Sequence, residues 1–319
     1  MPSAVMTIGE VCRVIELIKR KTSIVSRPRL MTLKLRSNPV HPRIAGLDGG
    51  AWVLFLEVVM QITKGKKQKP RRTLIYGVHG VGKSTLAAQA EKCLFLNLED
   101  GLNDIDCSRS ELIKDFDQIM DGLRWLAESK HDFQHVAIDT IDWLEAIIHK
   151  KVAQAAGKES IADIGYGAGY KQALTYWDRI IFALDWLRSE KGIGVILLAH
   201  AEAKKFESPE TDSYDRYQPA LHPLAASLLQ EWCDEVLFAS YRVYTRKEDQ
   251  GFNKSRTLAV GDGERYLRCQ ETAAVLAKNR LGMPPEIDFS WAAYASYFAK
   301  PSGNIDGTVV DGSSKAEAE

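Results

Sequence analysis

The sequence predicts an α/β fold, a mostly parallel sheet flanked by helices with antiparallel strands on its C-terminal side. Three observations predict it. Short apolar runs alternate with stretches of helical periodicity from about residue 70 to about residue 300, and such alternation builds right-handed crossovers over a sheet covered on both faces. A glycine loop stands between the first of these runs and the first helix. The 319 residues, 45% of them hydrophobic, suffice to bury a full core.

The elements follow in order. Thr73 to Tyr76 is a short buried strand, and a helix runs from about Gly82 to Glu91 after the loop. Leu94 to Leu98 is the second strand. Leu112, Phe116, Ile119, Leu123 and Leu126 recur at three- and four-residue spacing and mark a helix. His135 to Ile138 is a third strand running into Asp139, with a helix from about Trp143 to Ala155. Tyr170, Leu174, Trp177, Ile181 and Leu184 give another helix before the strand Val195–Leu198. Pro223 to Glu231 is a shorter helix. Val236–Tyr244, Thr257–Val260 and Ala274–Leu276 close the domain, with Tyr266–Cys269 a further candidate. Their close spacing predicts antiparallel pairing.

Three regions result: a basic extension and linker over 1–69, the folded domain over 70–299, and a tail over 300–319. The formal charge is zero, but residues 1–72 carry 15 Lys+Arg against 4 Asp+Glu, a split that marks a basic arm for a polyanion or a solvated extension. Within the arm, Thr7 to Glu10 fits a capping box and Ile8, Val11, Cys12, Ile15 and Ile18 follow at helical spacing. Pro28, Pro39, Pro42 and Gly46–Gly50 read as linker, and Lys64, Lys66, Lys67, Lys69, Arg71 and Arg72 form a dense basic run. Leu56-Glu57-Val58 is compatible with a ribosome-binding-like coding stretch before Met60, so an upstream-extended start is expected. The tail, rich in Gly, Ser and Asp, is expected to be disordered.

Several classes are excluded. The longest apolar candidate, Ala51 to Ile62, is shorter than the ~18 residues a membrane helix needs and contains Glu57. No signal-peptide layout opens the chain. Five scattered cysteines without a C-x-x-C argue against a disulfide scaffold or zinc ribbon and for a reducing cytoplasm.

Gly77-Val78-His79-Gly80-Val81-Gly82-Lys83-Ser84 matches G-x-x-x-x-G-K-[ST] in full, and Thr85 follows. The glycines let successive backbone N–H groups point at phosphate oxygens, and the helix start adds its positive end. Lys83 is expected on the β- and γ-phosphates and the Ser84 hydroxyl on Mg²⁺. The strand before the loop and the helix after it complete a P-loop NTPase signature. A carboxylate at a neighbouring strand end completes the metal site: Asp139 fits, with Asp142 a rival read more simply as a helix cap. Glu99, ending the second strand, is placed to orient or deprotonate water, with Asp100 as an alternative. His200, ending Val195–Ala199, sits on the same edge as a γ-phosphate sensor or as a structural histidine.

These residues, in this order, resemble the RecA/RadA recombinase core. The closest likeness is to small bacteriophage relatives, AAA-domain or phage nucleotide-binding proteins linked to single-strand annealing and recombination. The resemblance covers about residues 70–298. It implies a RecA-like sheet, ATP and Mg²⁺ as ligands, a water-activating role for Glu99, and a sensor role at His200, where the family usually carries an amide. Lys278 and Arg280, in Ala274–Arg280, resemble two basic residues that reach the neighbouring subunit's nucleotide in a filament or ring. The resemblance also makes 157–170 and 201–219 candidate DNA loops. The second carries Lys204, Lys205, Phe206, Arg216 and Tyr217, cations for a backbone and rings for bases, diluted by Glu207, Glu210, Asp212 and Asp215. The expected function is thus a Mg²⁺-dependent ATPase acting on single-stranded DNA in phage recombination or annealing, in a bacterial host's cytoplasm. The expected partners are copies of itself and a phage single-strand-binding or replication protein. An ATPase that remodels or loads a protein partner is the alternative, and a nucleotide-gated binding module without turnover is a third.

Overall fold

A nine-stranded sheet organises the chain in the computed structural model, which describes residues 68–208, 211–249, 255–260 and 263–298. The expectations for the basic extension, the early start and the tail lie outside these residues, save that Lys69, Arg71 and Arg72 are described.

Strand β1 (Arg72–Gly77) lies inside the sheet, with Leu74, Ile75 and Tyr76 fully buried. On one side it pairs with β5 (Gly194–Phe206), followed outward by β4 (His135–Asp139), β2 (Cys93–Asn97) and the two-residue β3 (Ser108–Arg109), all parallel. On the other side β7 (Glu235–Tyr241) is also parallel, while β10 (Arg265–Arg268) and β11 (Glu286–Asp288) are antiparallel. The expectation that the late strands are antiparallel therefore fails for β7: the helix before it supplies a crossover, so it returns in the direction of β1. Ala274–Leu276 forms no named strand: Val275 bridges to Tyr217 and Thr272, and beyond it Lys278 bridges to Val236. A separate ribbon pairs β8 (Tyr244–Asp249) with β9 (Ser255–Val260).

Side chains alternate across each strand, so the two sheet faces bury different sets. Leu74, Tyr76, Leu96, Val136 and Ile138 face one core with Phe116, Ile119, Ile148, Trp177 and Leu229. These come from α2 (Phe116–Glu128), α3 (Ile141–Ala155), α4 (Ala168–Trp186) and α5 (Pro223–Trp232). Ile75, Phe95, Ala137, Ile196 and Leu237 face a second core, closed by Leu86 of α1 (Lys83–Ala88) and by Trp291 and Tyr294 of α6 (Trp291–Ala295). Asp115 starts α2 by accepting from the amides of Asp117 and Gln118, which places that start four residues after Leu112.

Within the expected DNA loop 201–219, residues 201–206 and 214–219 pair as a β-hairpin. Strand β5 continues past the sheet to Phe206 and returns as β6 (Tyr214–Pro219), with Ala201 opposite Pro219.

The end of the sheet remote from the glycine loop is held by charge. Asp234, 4% exposed, accepts from Arg72 (2.9 Å), Arg188 (3.2 Å) and Arg280 (3.1 Å). Its fully buried neighbour Glu235 pairs with Arg71 and accepts from Tyr294 Oη (3.1 Å). Burial alone would raise the Asp234 carboxyl, but the Arg72 bonds and charge override it and leave it below its usual range. A carboxylate with a lowered pKa contributes its stability above the unfolded value near 4 and loses it as pH falls through the folded value. Asp234→Ala is expected to cost about 3 kcal/mol of unfolding free energy at pH 7, because it strands the largely buried Arg72 and Arg188 guanidinium groups. Urea titrations from pH 7 to pH 3 check this; the gap to the unsubstituted chain should narrow in acid.

Candidate functional site

Parallel register brings five strands, β1, β2, β4, β5 and β7, to one edge. Gly77 lies opposite His200 of β5 and Ala239 of β7, and Asn97 lies opposite Asp139. The loop Gly77–Ser84 leaves from the middle of that edge. Gly77 is required by close packing, since a Cβ there would meet the Ala239 carbonyl oxygen at 2.2 Å. Gly82, immediately before α1, has φ of 93°, a left-handed conformation that suits glycine.

Lys83 is 6% exposed, and its ammonium donates to the carbonyls of Gly77 and Val78, both at 3.2 Å. Burial lowers its pKa, against the charges of Glu99, Asp139 and Asp142. Val81 is buried, while His79, Gly80 and Thr85 are exposed and Val78, Gly82 and Ser84 are half-buried. Asp139 is 3% exposed, and burial pushes its carboxyl up to about 6, opposed by a hydrogen bond with Ser84. Its Oδ1 is buried without a hydrogen-bond partner. An orphaned carboxylate oxygen beside the motif's serine fits a magnesium site, which Asp139 and Ser84 would form.

The remaining edge residues form a chain of acid, imidazole and acid. Asp142 accepts from the backbone N–H of His200 at 3.1 Å and lies 2.8 Å from its Nδ1. With Nδ1 bound there, Nε2 faces Glu99 Oε1 at 3.6 Å. Thr140 donates its hydroxyl to Glu99 Oε2 at 3.3 Å. The exposed His79 ring of the glycine loop stacks on His200 with centroids 4.1 Å apart. Burial would raise the Asp142 carboxyl, but the bonds from His200 hold it low. Thr140 occupies the N-cap position of α3, so Asp142 is not the cap that its sequence position suggests; it lies in the first turn and orients His200.

Three residues at the loop escape sequence reasoning. Tyr241, ending β7, donates its hydroxyl to the Gly80 carbonyl at 2.9 Å. Arg265 Nη1, at the start of β10, donates to the Val81 carbonyl at 3.2 Å, and its guanidinium lies 4.8 Å from the Phe289 ring centre. Nothing in local periodicity marks them, because they reach the loop only through strand pairing, of β7 with β1, β10 with β7 and β11 with β10.

Other expected site residues lie elsewhere. Lys278 bridges to Val236, near the start of β7 and away from the loop edge. Its ammonium donates to the carbonyls of Gln230 (2.8 Å), Glu231 (2.9 Å) and Cys233 (2.7 Å), closing the C-terminal end of α5. Lys278, expected at another subunit's nucleotide, is within this chain a helix-end residue. Arg280 pairs with Asp234 at the same remote end and keeps a half-exposed side chain. On the hairpin, Arg216 is buried against Glu271 with Phe206 under its guanidinium at 5.1 Å, so it is not a free cation. Lys204 pairs with Glu202, and Lys205 is exposed opposite Asp215. Phe206 and Tyr217 are 38% and 40% exposed, with Tyr217 stacked on Phe238. Of the basic run, Arg71 and Arg72 are committed to Glu235 and Asp234. In the region 157–170 Tyr166 stands fully exposed within the second of two short helical turns that precede α4.

The family described as AAA domain matches residues 69–281, more than half of the chain and the whole of the edge just described apart from Phe289. No curated protein matches the chain. Among the described residues no helix is long and apolar enough to cross a membrane.

Asp142→Ala is expected to release the His200 ring while leaving the phosphate loop intact. Nucleoside triphosphate affinity should hold, turnover should fall about tenfold, and the His200 ring nitrogens should change their tautomer signature in ¹⁵N NMR spectra.

Proposed function

The chain belongs to the AAA domain family, and from that premise we propose that it is a magnesium-dependent ATPase whose cycle acts on single-stranded DNA in recombination or annealing. One observation carries the ATPase reading: Lys83, Asp139, Glu99 and His200 meet at one strand-end edge around a phosphate loop. Magnesium held by Asp139 and Ser84 would neutralise phosphate charge.

The chain's own groups supply the rest. Backbone amides of Gly80 to Ser84 bind phosphate oxygens, and Lys83 exchanges its two carbonyl partners for the β- and γ-phosphates. Glu99, held by Thr140, accepts a proton from water as the water oxygen bonds to the γ-phosphorus and the β–γ bridging bond breaks. ADP and phosphate leave. His200, fixed by Asp142, places its ring beside the Glu99 carboxylate on the edge where a γ-phosphate would lie. Positioning and charge neutralisation provide the rate, with no covalent intermediate.

The DNA reading is supported by the path of β5, which runs from His200 straight into the hairpin and its exposed rings at Phe206 and Tyr217. Tyr166 adds a third exposed ring, and aromatic stacking suits sequence-tolerant single-strand binding. The resemblance to phage recombinases supports self-assembly into a ring or filament, a phage replication or single-strand-binding partner, and a host-cytoplasmic setting. A second reading, remodelling or loading of a protein partner, is favoured by one specific observation. Carboxylates already neutralise Arg216 and Lys204, which leaves the hairpin few free cations for a phosphate backbone.

Steady-state ATP hydrolysis with and without single-stranded DNA separates these readings. Lys83→Ala should abolish turnover, and Glu99→Gln should lower it by about 10²–10⁴ while nucleotide still binds. Stimulation by DNA that disappears in Lys83→Ala is the expected result. Robust turnover indifferent to DNA would sink the recombination reading and favour the protein-partner one.

A further inference from the structure

The phosphate loop lies between unlike walls. On the β5–β4–β2 side stand His200, Asp139 and Glu99, the groups suited to a metal and to water. On the β7–β10–β11 side stand Tyr241, Arg265 and, just after β11, Phe289. The loop's lysine and its orphaned Asp139 oxygen fix the terminal phosphates toward the first wall. The opposite end of the same ligand, its α-phosphate and nucleoside, then leaves toward the second.

Arg265 is held for such a ligand. One edge of its guanidinium is pinned by the Val81 carbonyl and one face by the Phe289 ring. It lies so close over Gly82 that a Cβ there would stand 2.7 Å from Nη1, 3.7 Å from Phe289 Cε1 and 3.9 Å from Thr85 Cβ. Arg265 is nevertheless exposed. The side chain is thus a flat cation with one face backed by an aromatic ring, its position on the loop set by a glycine. Planar guanidinium groups stack on aromatic faces, which a point-like ammonium cannot imitate.

We infer that Arg265, backed by Phe289, is the platform on which the nucleoside of the bound nucleotide rests, and so a residue that favours nucleotides over bare polyphosphate. This rests on the reading of Gly77–Thr85 as a nucleotide site. Tyr241 braces the same loop through Gly80 but offers its hydroxyl to the backbone, so it positions the loop and does not read the ligand.

Calorimetric titration of the full chain with ATP and with inorganic tripolyphosphate, both with magnesium, tests the inference. The unsubstituted chain should prefer ATP. Arg265→Gln should weaken ATP about tenfold and tripolyphosphate by less than about twofold, and Arg265→Lys should lose most of the preference although it keeps the charge. Retained tripolyphosphate affinity also shows that the loop is intact in each variant. Equal weakening of both ligands would overturn the platform in favour of a loop prop or a phosphate contact. So would unchanged ATP affinity, full retention of the preference by Arg265→Lys, or no preference in the unsubstituted chain. Lys83→Ala is the separate control. If it binds both ligands as before, the phosphate-loop reading itself fails, whatever Arg265 does.

Discussion

The pairing register of β1, β5, β4 and β2 is the constraint on which the site depends. Side chains alternate strictly along a strand, so a one-residue slip of β5 against β1 would turn His200 to the other face and drive Leu197 or Leu198 out of its core. The two cores prevent that slip: Leu197 packs with Val195 in one, Ile196 with Leu198 in the other. Apolar packing thus places the polar edge. Gly77, Asp139 and His200 end up adjacent because the residues before them are buried on both faces.

At that edge several carboxylates converge with few cations. Asp139, Glu99 and Asp142 all bear on Lys83, and Glu99 raises Asp139 further. Such a cluster stands because each acid has a different answer to its charge. Asp142 takes two bonds from His200, Glu99 takes the Thr140 hydroxyl, and burial keeps Asp139 high with one oxygen unanswered. The unanswered oxygen is what supports the proposed cation site at Asp139, and the partners of the other two acids support the water-orienting role proposed for Glu99.

Much of this was legible in the sequence, and the rest was not, for physical reasons. The phosphate loop is legible because the close approach of Ala239 and the left-handed turn at Gly82 demand particular residue types at fixed spacing. Asp139, Glu99 and His200 are legible as the first polar residues after buried runs. Asp142 was legible as a residue but not in its role, because it stands on α3 and its partner His200 belongs to the distant strand β5. Arg265, Tyr241 and Phe289 were invisible, since only the β7–β10–β11 pairing carries them to the loop. The hairpin hid for a different reason: Ala201 to Phe206 is too polar to show a buried strand's pattern, and its partner strand is no more apolar. At Lys278 the charge was legible, but not the helix end that absorbs it.

The hairpin shows how one helix can tie the loop edge to a distant surface. Asp142 and Glu145 stand three residues apart on α3 and so share a face. Asp142 holds His200, the last sheet residue before the outgoing leg, while Glu145 accepts from the His222 N–H at 2.8 Å just beyond the returning leg. Glu145 is 7% exposed, and burial pushes its carboxyl up to about 7 despite that bond. Both legs are therefore registered on a single helix turn, and the Ala220 N–H closes them by donating to the His200 carbonyl at 2.8 Å. His200 is bonded both to the start of α3 and to the hairpin's return. The exposed rings of Phe206 and Tyr217 are thus built on the same few bonds that orient the imidazole beside Glu99.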